Sequence, residues 1–293
     1  ISLSLGTDEV ELRNVGGDRP PDFVRPGVAL WSSEPLVAMG MAGVVIGHLF
    51  TRGPPGRRVN ALGREASRQI ADDARSLLAD YWGGYVMVCT NRAGRIMVLR
   101  DPSGALPCYM RRAGDAITLA GDIADLTSPG ASQVDFEEIV RIVASADAPG
   151  PQTCLTGITE LLAGECLIIE RGSVTVERWW SPWDHIEPDV RLDFANTAER
   201  LRATISDCVG AWASCFSSIL LGTSGGLDSS TVAAAGAPKA RQLNCLNLVG
   251  PDFDGDERRY AHALVKALGL NLGEAYLDLA DVDVDCAPAT HHP

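Results

Sequence analysis

Clustered basic charge is missing from this sequence. Acidic residues outnumber basic ones, 38 to 25, for a net charge of −13, and no Lys/Arg-rich block interrupts that balance. A groove for a phosphodiester backbone needs such clusters to displace counterions, so the composition argues against nucleic acid as a partner. Paired cysteines are missing too: the eight, at positions 89, 108, 154, 166, 208, 215, 245 and 286, form no CxxC pair and no Cys/His spacing for zinc. Cys89 and Cys166 stand inside apolar runs, where a free thiol behaves as a small core residue, and the usage fits a reduced, cytoplasmic setting. The longest apolar run, 35–50, is short for a membrane span and reads as core strands. Residues 1–6 lack a charged n-region and are followed by acids, so no secretory signal is evident.

What is present suffices for two cores. Hydrophobic residues make up 46% of 293 positions, and single cores commonly stop growing near ~250–300 residues. Apolar, β-compatible runs at 1–5, 28–31 and 37–49 are punctuated by turn clusters at 16–21 and 53–56. Leu62, Ala66, Ile70, Ala74, Leu77, Leu78 and Tyr81 then recur at helical spacing and predict one helix with a single buried face. Strands follow at 85–90, 95–100, 106–111 and 117–120, a helix at 136–145, and a hairpin of 165–170 with 173–180 around Arg171-Gly172. Residues 181–195 are acidic and proline-broken, a linker signature.

Beyond the linker, Ala198, Leu201, Ile205, Cys208, Val209 and Trp212 form a helical stripe. Strands at 217–223, 243–249 and 275–279 alternate with helices at 228–235 and 258–268, the last with Tyr260, Ala261, Leu264, Val265 and Leu268 turned inward and Gly269 as its stop. The pattern predicts an α+β domain over 1–185 and an α/β domain over 186–293 built on a doubly wound parallel sheet, with ligands at the C-terminal ends of its strands. Thr223 and Val249 end two such strands.

The stretch Ser224-Gly225-Gly226-Leu227-Asp228-Ser229-Ser230 joins an apolar strand to a helix start. Unpaired backbone N–H groups at a helix N-terminus carry partial positive charge, and paired glycines let the main chain approach an anion closely. Ser224, Ser229 and Ser230 add hydroxyls. Asp228 would repel a bare phosphate and makes sense as a magnesium ligand. No lysine follows the glycines, so this is not a Walker A loop. The structural alternative is a glycine-rich turn capped by Asp and Ser.

The seven-residue string resembles the pyrophosphate-binding loop of the ATP pyrophosphatase enzymes, most closely the asparagine synthetase branch. Trp82-Gly83-Gly84-Tyr85, the run Arg100-Asp101-Pro102-Ser103-Gly104 leading to Pro107 and Tyr109, and Gly157-Ile158-Thr159-Glu160-Leu161-Leu162-Ala163-Gly164 with Trp179-Trp180 are similar to the glutaminase half of asparagine synthetases, an Ntn-hydrolase-like αββα sandwich. Residue 1 is Ile where that half has a nucleophilic cysteine, and Gly47-His48-Leu49-Phe50 stands where its glutamine-holding Asn-Gly-Glu run is expected, so the resemblance implies a degenerate glutaminase. Asp256-Glu257-Arg258-Arg259-Tyr260-Ala261 resembles a segment of lasso peptide macrolactam synthetases. The resemblance then implies ATP and Mg2+ as cofactors, with Ser224, Gly225, Gly226, Leu227, Asp228, Ser229 and Ser230 holding pyrophosphate, Val249 lining the adenine pocket and Asp228 on the metal.

The expected activity is adenylation of an Asp or Glu side chain in a precursor peptide and closure on that peptide's N-terminal amine. A leader peptidase and a leader-recognition protein are the expected partners, with no membrane involved. A β-lactam synthetase-like enzyme, a glutamine-dependent asparagine synthetase and a non-catalytic nucleotide- or peptide-binding scaffold are the alternatives. Only 65 residues follow Asp228 (293 − 228), so the catalytic residues near the acyl acceptor are expected in a further C-terminal part, and this chain is expected to be a fragment. Five other features read as structural. His48 is expected to be a hydrogen-bonded core residue, and Trp82, Trp179 and Trp180 packing residues. Asp252, Asp254 and Asp256 are read as an acidic helix start rather than a calcium loop. Asp281, Asp283 and Asp285 alternate as a solvated strand face, and His291 and His292 are too few for a metal.

Overall fold

The computed structural model describes residues 2–5, 19–114, 116–127, 133–145, 150–186, 193–250 and 255–276. They fall into two compact units, one drawn from Ile1–Leu49 and Val59–Ile186, the other from Phe50–Arg58 and Glu187–Ala287. Asp252, Asp254, Asp281, Asp283, Asp285, Cys286, His291 and His292 lie outside the described residues, as does the end of the strand expected at 275–279.

The first unit is built from β1 (Ser2–Leu5), β2 (Phe23–Arg25), β3 (Val28–Trp31), β4 (Leu36–Ala38), β5 (Gly43–Thr51), β6 (Arg58–Val59), α1 (Arg64–Asp72), α2 (Arg75–Asp80), β7 (Tyr81–Thr90), β8 (Ile96–Arg100), β9 (Tyr109–Ala113), β10 (Ala116–Ala120), α3 (Phe136–Ala144), β11 (Ile158–Glu160), β12 (Glu165–Glu170) and β13 (Ser173–Arg178). One sheet runs β11-β9-β10-β1-β3-β2, and the other β13-β12-β8-β7-β5-β4 with β6 beside β5. Strand alternation decides the layers. Ile46, Val86, Val88, Val98 and Leu167 share a core with Leu3, Leu30, Ile117 and Leu119 of the first sheet. Their neighbours Tyr85, Met87, Cys89 and Leu99 turn to the opposite face and pack with Ile70, Ala74 and Leu77 of the helices. A period of two therefore feeds both cores from the same strands. Trp179 and Trp180 are partly buried against the helix-side core, the packing role expected of them.

Local chemistry corrects two boundaries. The stripe over 62–81 does not form one helix: Asp73 adopts extended angles, φ −140 and ψ 93. Its side chain accepts the Arg75 N–H at 3.1 Å, and its carbonyl accepts the Ser76 hydroxyl at 2.7 Å. That local capping competes with helix continuation, as Asp does elsewhere, and Tyr81 opens β7 instead. The run 37–49 folds back on itself, with Gly40 at φ +59 in the turn and Leu36 opposite Ile46. The Arg171-Gly172 hairpin forms as the sequence suggests, both residues at positive φ, 50 and 79, the geometry of a two-residue turn.

The turn at Asp101 ties the sheets together. Asp101 is fully buried; its carboxylate accepts the backbone N–H of Tyr85 at 3.0 Å and that of Ser103 at 2.7 Å. Burial pushes its carboxyl above the usual range, against those hydrogen bonds. Arg100 donates to Glu160 at 2.6 Å, the Leu161 carbonyl at 2.7 Å and the Gly104 carbonyl at 2.9 Å. This motif is a structural lock between β8 and the 160–164 segment.

The second unit contains α4 (Phe194–Ala213), β14 (Ile219–Gly222), α5 (Leu227–Gly236), β15 (Leu243–Val249), α6 (Arg258–Leu268) and β16 (Asn271–Tyr276). The three strands are parallel and lie in sequence order, so the described part of the sheet winds in one direction without a strand-order reversal. One face is buried through Leu243, Cys245 and Val249, while Leu220 and Leu248 on the other are exposed. Gly269 ends α6 in the left-handed conformation, φ 67, as predicted. Tyr260 does not turn inward: it is 51% exposed, because Ala261 and Val265 alone supply the fully buried face of α6.

Candidate functional site

The loop between β14 and α5 is shaped by two glycines with different tasks. Gly225 sits at φ +80, and a Cβ there would lie 2.5 Å from the Tyr260 Cβ, 2.6 Å from the Tyr260 carbonyl carbon and 2.7 Å from the Ala261 nitrogen. No side chain fits that contact, so Gly225 is fixed by its conformation and by the closeness of α6. Gly226 is the residue preceding the helix, at φ −69 and ψ 174, and contributes no side-chain cap. A Cβ there would meet only the Ser224 hydroxyl, at 3.2 Å.

The consequence is an open anion seat. The Ser230 N–H makes the first helical bond, to the Gly226 carbonyl at 3.1 Å, which leaves the N–H groups of Leu227, Asp228 and Ser229 as the uncapped first turn. The Ser224 and Ser229 hydroxyls meet at 3.2 Å, and the Gly226 N–H donates to the Ser224 hydroxyl at 3.2 Å. Leu227 points outward at 83% exposure. Asp228 is exposed in the first turn, and its carboxylate has no hydrogen bond or ion pair among the described residues. Ser224, Gly225, Gly226, Leu227, Asp228, Ser229 and Ser230 are thus contiguous around one helix start, while Val249 closes β15 on the buried face of the sheet.

Of the two residues beside the loop, Thr223 was marked by the sequence as a strand end, and Asn247 was not singled out. Thr223, buried, donates its N–H to the Leu246 carbonyl at 2.8 Å. Asn247, 2% exposed, donates its amide to the Thr223 carbonyl at 2.8 Å, and its Oδ1 has no partner. An unpaired buried amide oxygen costs about 1–3 kcal/mol, so Asn247 holds the loop's entry strand at a sacrifice. The signal in the sequence was the position of Asn247, two residues from Cys245 and from Val249 on the face that buries Leu243, Cys245 and Val249.

The seat fits a polyphosphate with its metal. Uncapped N–H groups and paired hydroxyls suit phosphate oxygens, and the unpartnered Asp228 carboxylate suits a divalent cation beside them. Among the described residues no cluster of three or more His, Cys, Asp or Glu exists. Elsewhere, Asp256 pairs with Arg258 at 2.7 Å. His48 is half-buried within β5.

An uncapped strand-to-helix turn on a parallel sheet follows a two-sheet unit in the chain, and two stretches of the sequence match known families. Residues 71–180 match the family described as glutamine amidotransferase domain, and residues 200–289 match asparagine synthase. Those two domains in that order indicate an amidotransferase or ATP-dependent amide ligase and support the asparagine synthetase superfamily. Two solved structures are similar at low identity. The allosteric regulatory enzyme of purine biosynthesis is 12% identical with a TM-score of 0.33, over 94% of this chain and 74% of that one. Glutamine phosphoribosylpyrophosphate amidotransferase from B. subtilis, complexed with ADP and GMP, is 13% identical with a TM-score of 0.32, over 99% of this chain and 63% of that one. No curated protein matches the sequence. Among the described residues no helix is long and apolar enough to cross a membrane.

Proposed function

We propose that the loop from Ser224 to Ser230 binds the polyphosphate of ATP and that the protein joins a carboxylate to an amine carried on the same peptide, giving a macrolactam. The carrying observation is the uncapped first turn of α5 flanked by the Ser224–Ser229 hydroxyl pair, within the stretch that matches asparagine synthase. A peptide carboxylate oxygen bonds to the α-phosphorus and pyrophosphate departs; the amine then bonds to the acyl carbon, AMP departs with the C–O electron pair, and the amine gives up a proton. The N–H groups of Leu227, Asp228 and Ser229 stabilise the negative charge that grows on the departing pyrophosphate. Asp228 would hold magnesium, which screens that charge from its own carboxylate. Val249 lines the adenine side in this reading.

Closure on the peptide's own amine, rather than transfer of ammonia from glutamine, is supported by the first unit, read here as an Ntn-type glutaminase that no longer works on glutamine. Where a glutamine-holding run was expected, residues 47–50 lie inside β5, Leu49 is fully buried, and a Cβ at Gly47 would be 2.4 Å from the Gly84 carbonyl oxygen. Burial pushes the thiols of Cys89 and Cys108 up to about 12, so neither is a nucleophile at neutral pH. The likeness of the Asp256–Ala261 segment to lasso peptide macrolactam synthetases supports a peptide as the substrate. A leader peptidase and a leader-recognition protein would deliver it, in the cytoplasm.

The test is mass spectrometry of a precursor peptide incubated with the full-length protein, ATP and Mg2+. The expected product lacks one water and appears with AMP and pyrophosphate, and Asp228→Ala lowers its rate by roughly 100- to 1,000-fold with the circular dichroism unchanged. Release of glutamate with an amidated, uncyclised peptide would overturn the cyclisation reading.

A further inference from the structure

We propose that Arg259, lying over the Tyr260 ring at the start of α6, is the cation of the phosphate seat and binds the anionic tail of the nucleotide. This rests on the ATP reading above. The loop itself has a shortage of positive charge: residues 223–231 contain no Lys or Arg and include the Asp228 carboxylate. A polyphosphate with one divalent cation keeps net negative charge, so a further cation is required beside the loop.

The first turn of α6 is the element in place to provide it. The Tyr260 Cβ and carbonyl carbon and the Ala261 nitrogen lie against Gly225 with no room for a side chain between them, which makes this turn one wall of the seat. Two arginines stand there, and their surroundings separate them. Arg258 is committed: it pairs with Asp256 at 2.7 Å and donates to the Tyr276 hydroxyl at 3.2 Å. Arg259 is exposed and has no carboxylate partner among the described residues. Its guanidinium carbon lies 4.4 Å from the centre of the Tyr260 ring, and one of its nitrogens donates to the Tyr260 hydroxyl.

Stacking uses the face of the guanidinium and leaves most of its edge donors available. The ring thus holds the guanidinium without neutralising it. That also explains why an aromatic residue on α6 is half exposed: its body braces an arginine instead of filling the core.

The experiment is calorimetric titration of the full chain with three probes, inorganic pyrophosphate, MgATP and adenosine. Arg259→Gln is expected to weaken pyrophosphate and MgATP by roughly tenfold while adenosine is unchanged, and Arg259→Lys to recover part of the loss. Affinities of Arg259→Gln equal to those of the unaltered protein for pyrophosphate and MgATP would overturn the assignment, as would a parallel loss for adenosine, which a merely structural role produces. If the unaltered protein binds neither pyrophosphate nor MgATP, the ATP reading fails together with it; if it binds both and Arg259→Gln binds them equally, only the role of Arg259 fails.

Discussion

Gly225 and Gly226 look interchangeable in the sequence and are not. Gly225 holds a positive φ of 80 under the backbone of Tyr260 and Ala261, whereas Gly226 has ordinary angles and open space apart from the Ser224 hydroxyl. Alanine at Gly225 incurs a left-handed strain of about 1–3 kcal/mol and a backbone collision as well, so the loop must move off α6. Gly225→Ala is expected to lower the thermal midpoint by several degrees and to abolish ATP binding. Gly226→Ala is expected to melt near the unaltered protein while binding ATP more weakly, because its methyl group occupies the side an anion approaches. Calorimetric titration beside thermal melts checks both, and equal behaviour of the two variants would refute the division of tasks. The sequence made the loop legible through its seven-residue string, but it assigned both glycines to phosphate approach. The contact between Gly225 and Tyr260 joins segments far apart in the chain, and no local pattern reports it.

Among the elements, α6 is the clearest case of a helix whose start is chemically set. Hydrogen bonds from the Arg258 side chain, then from its backbone N–H, hold the Asp256 carboxyl at about 2. A folded value below the unfolded one means that this stabilisation is fully present above the ordinary carboxylate range and is lost as pH falls through the folded value. The first turn of α6 is therefore expected to stay protected from hydrogen exchange between about pH 5 and 8 and to loosen between about pH 4 and 2. NMR titration of the Asp256 carboxyl checks this, and a midpoint near the usual carboxylate value would contradict it. Element reading from sequence worked where one local signal was enough, as at Gly269 and Arg171-Gly172. It failed at 62–81, where a continuous apolar stripe hid the capping by Asp73, and at Tyr260, where helical spacing implied burial. Asn247 escaped notice because periodicity counts apolar residues and passes over the polar one that holds the loop.

At the scale of the molecule, charge and the two matched families constrain the substrate together. With a net charge of −13, the protein is expected to bind tRNA more weakly than the roughly 10⁻⁴–10⁻⁶ M typical of non-specific nucleic-acid binding at physiological salt. An electrophoretic mobility shift at that salt concentration would expose a hidden basic groove. The layered character of the first unit was expected from its helix faces and strands and from its likeness to the glutaminase half; that Val86 and Met87 face opposite cores was not readable, since both are apolar. Its pairing order was not, because β1 lies between β10 and β3, an arrangement set by long-range packing. The absence of a side chain at Gly225 has a mechanical outcome. Loop and helix meet main chain to main chain, with nothing compressible between them, so a displacement of α6 is passed to the phosphate seat almost undamped. Natural variation that tunes nucleotide affinity in this protein is then expected to collect along α6, outside the loop whose sequence first drew attention to it.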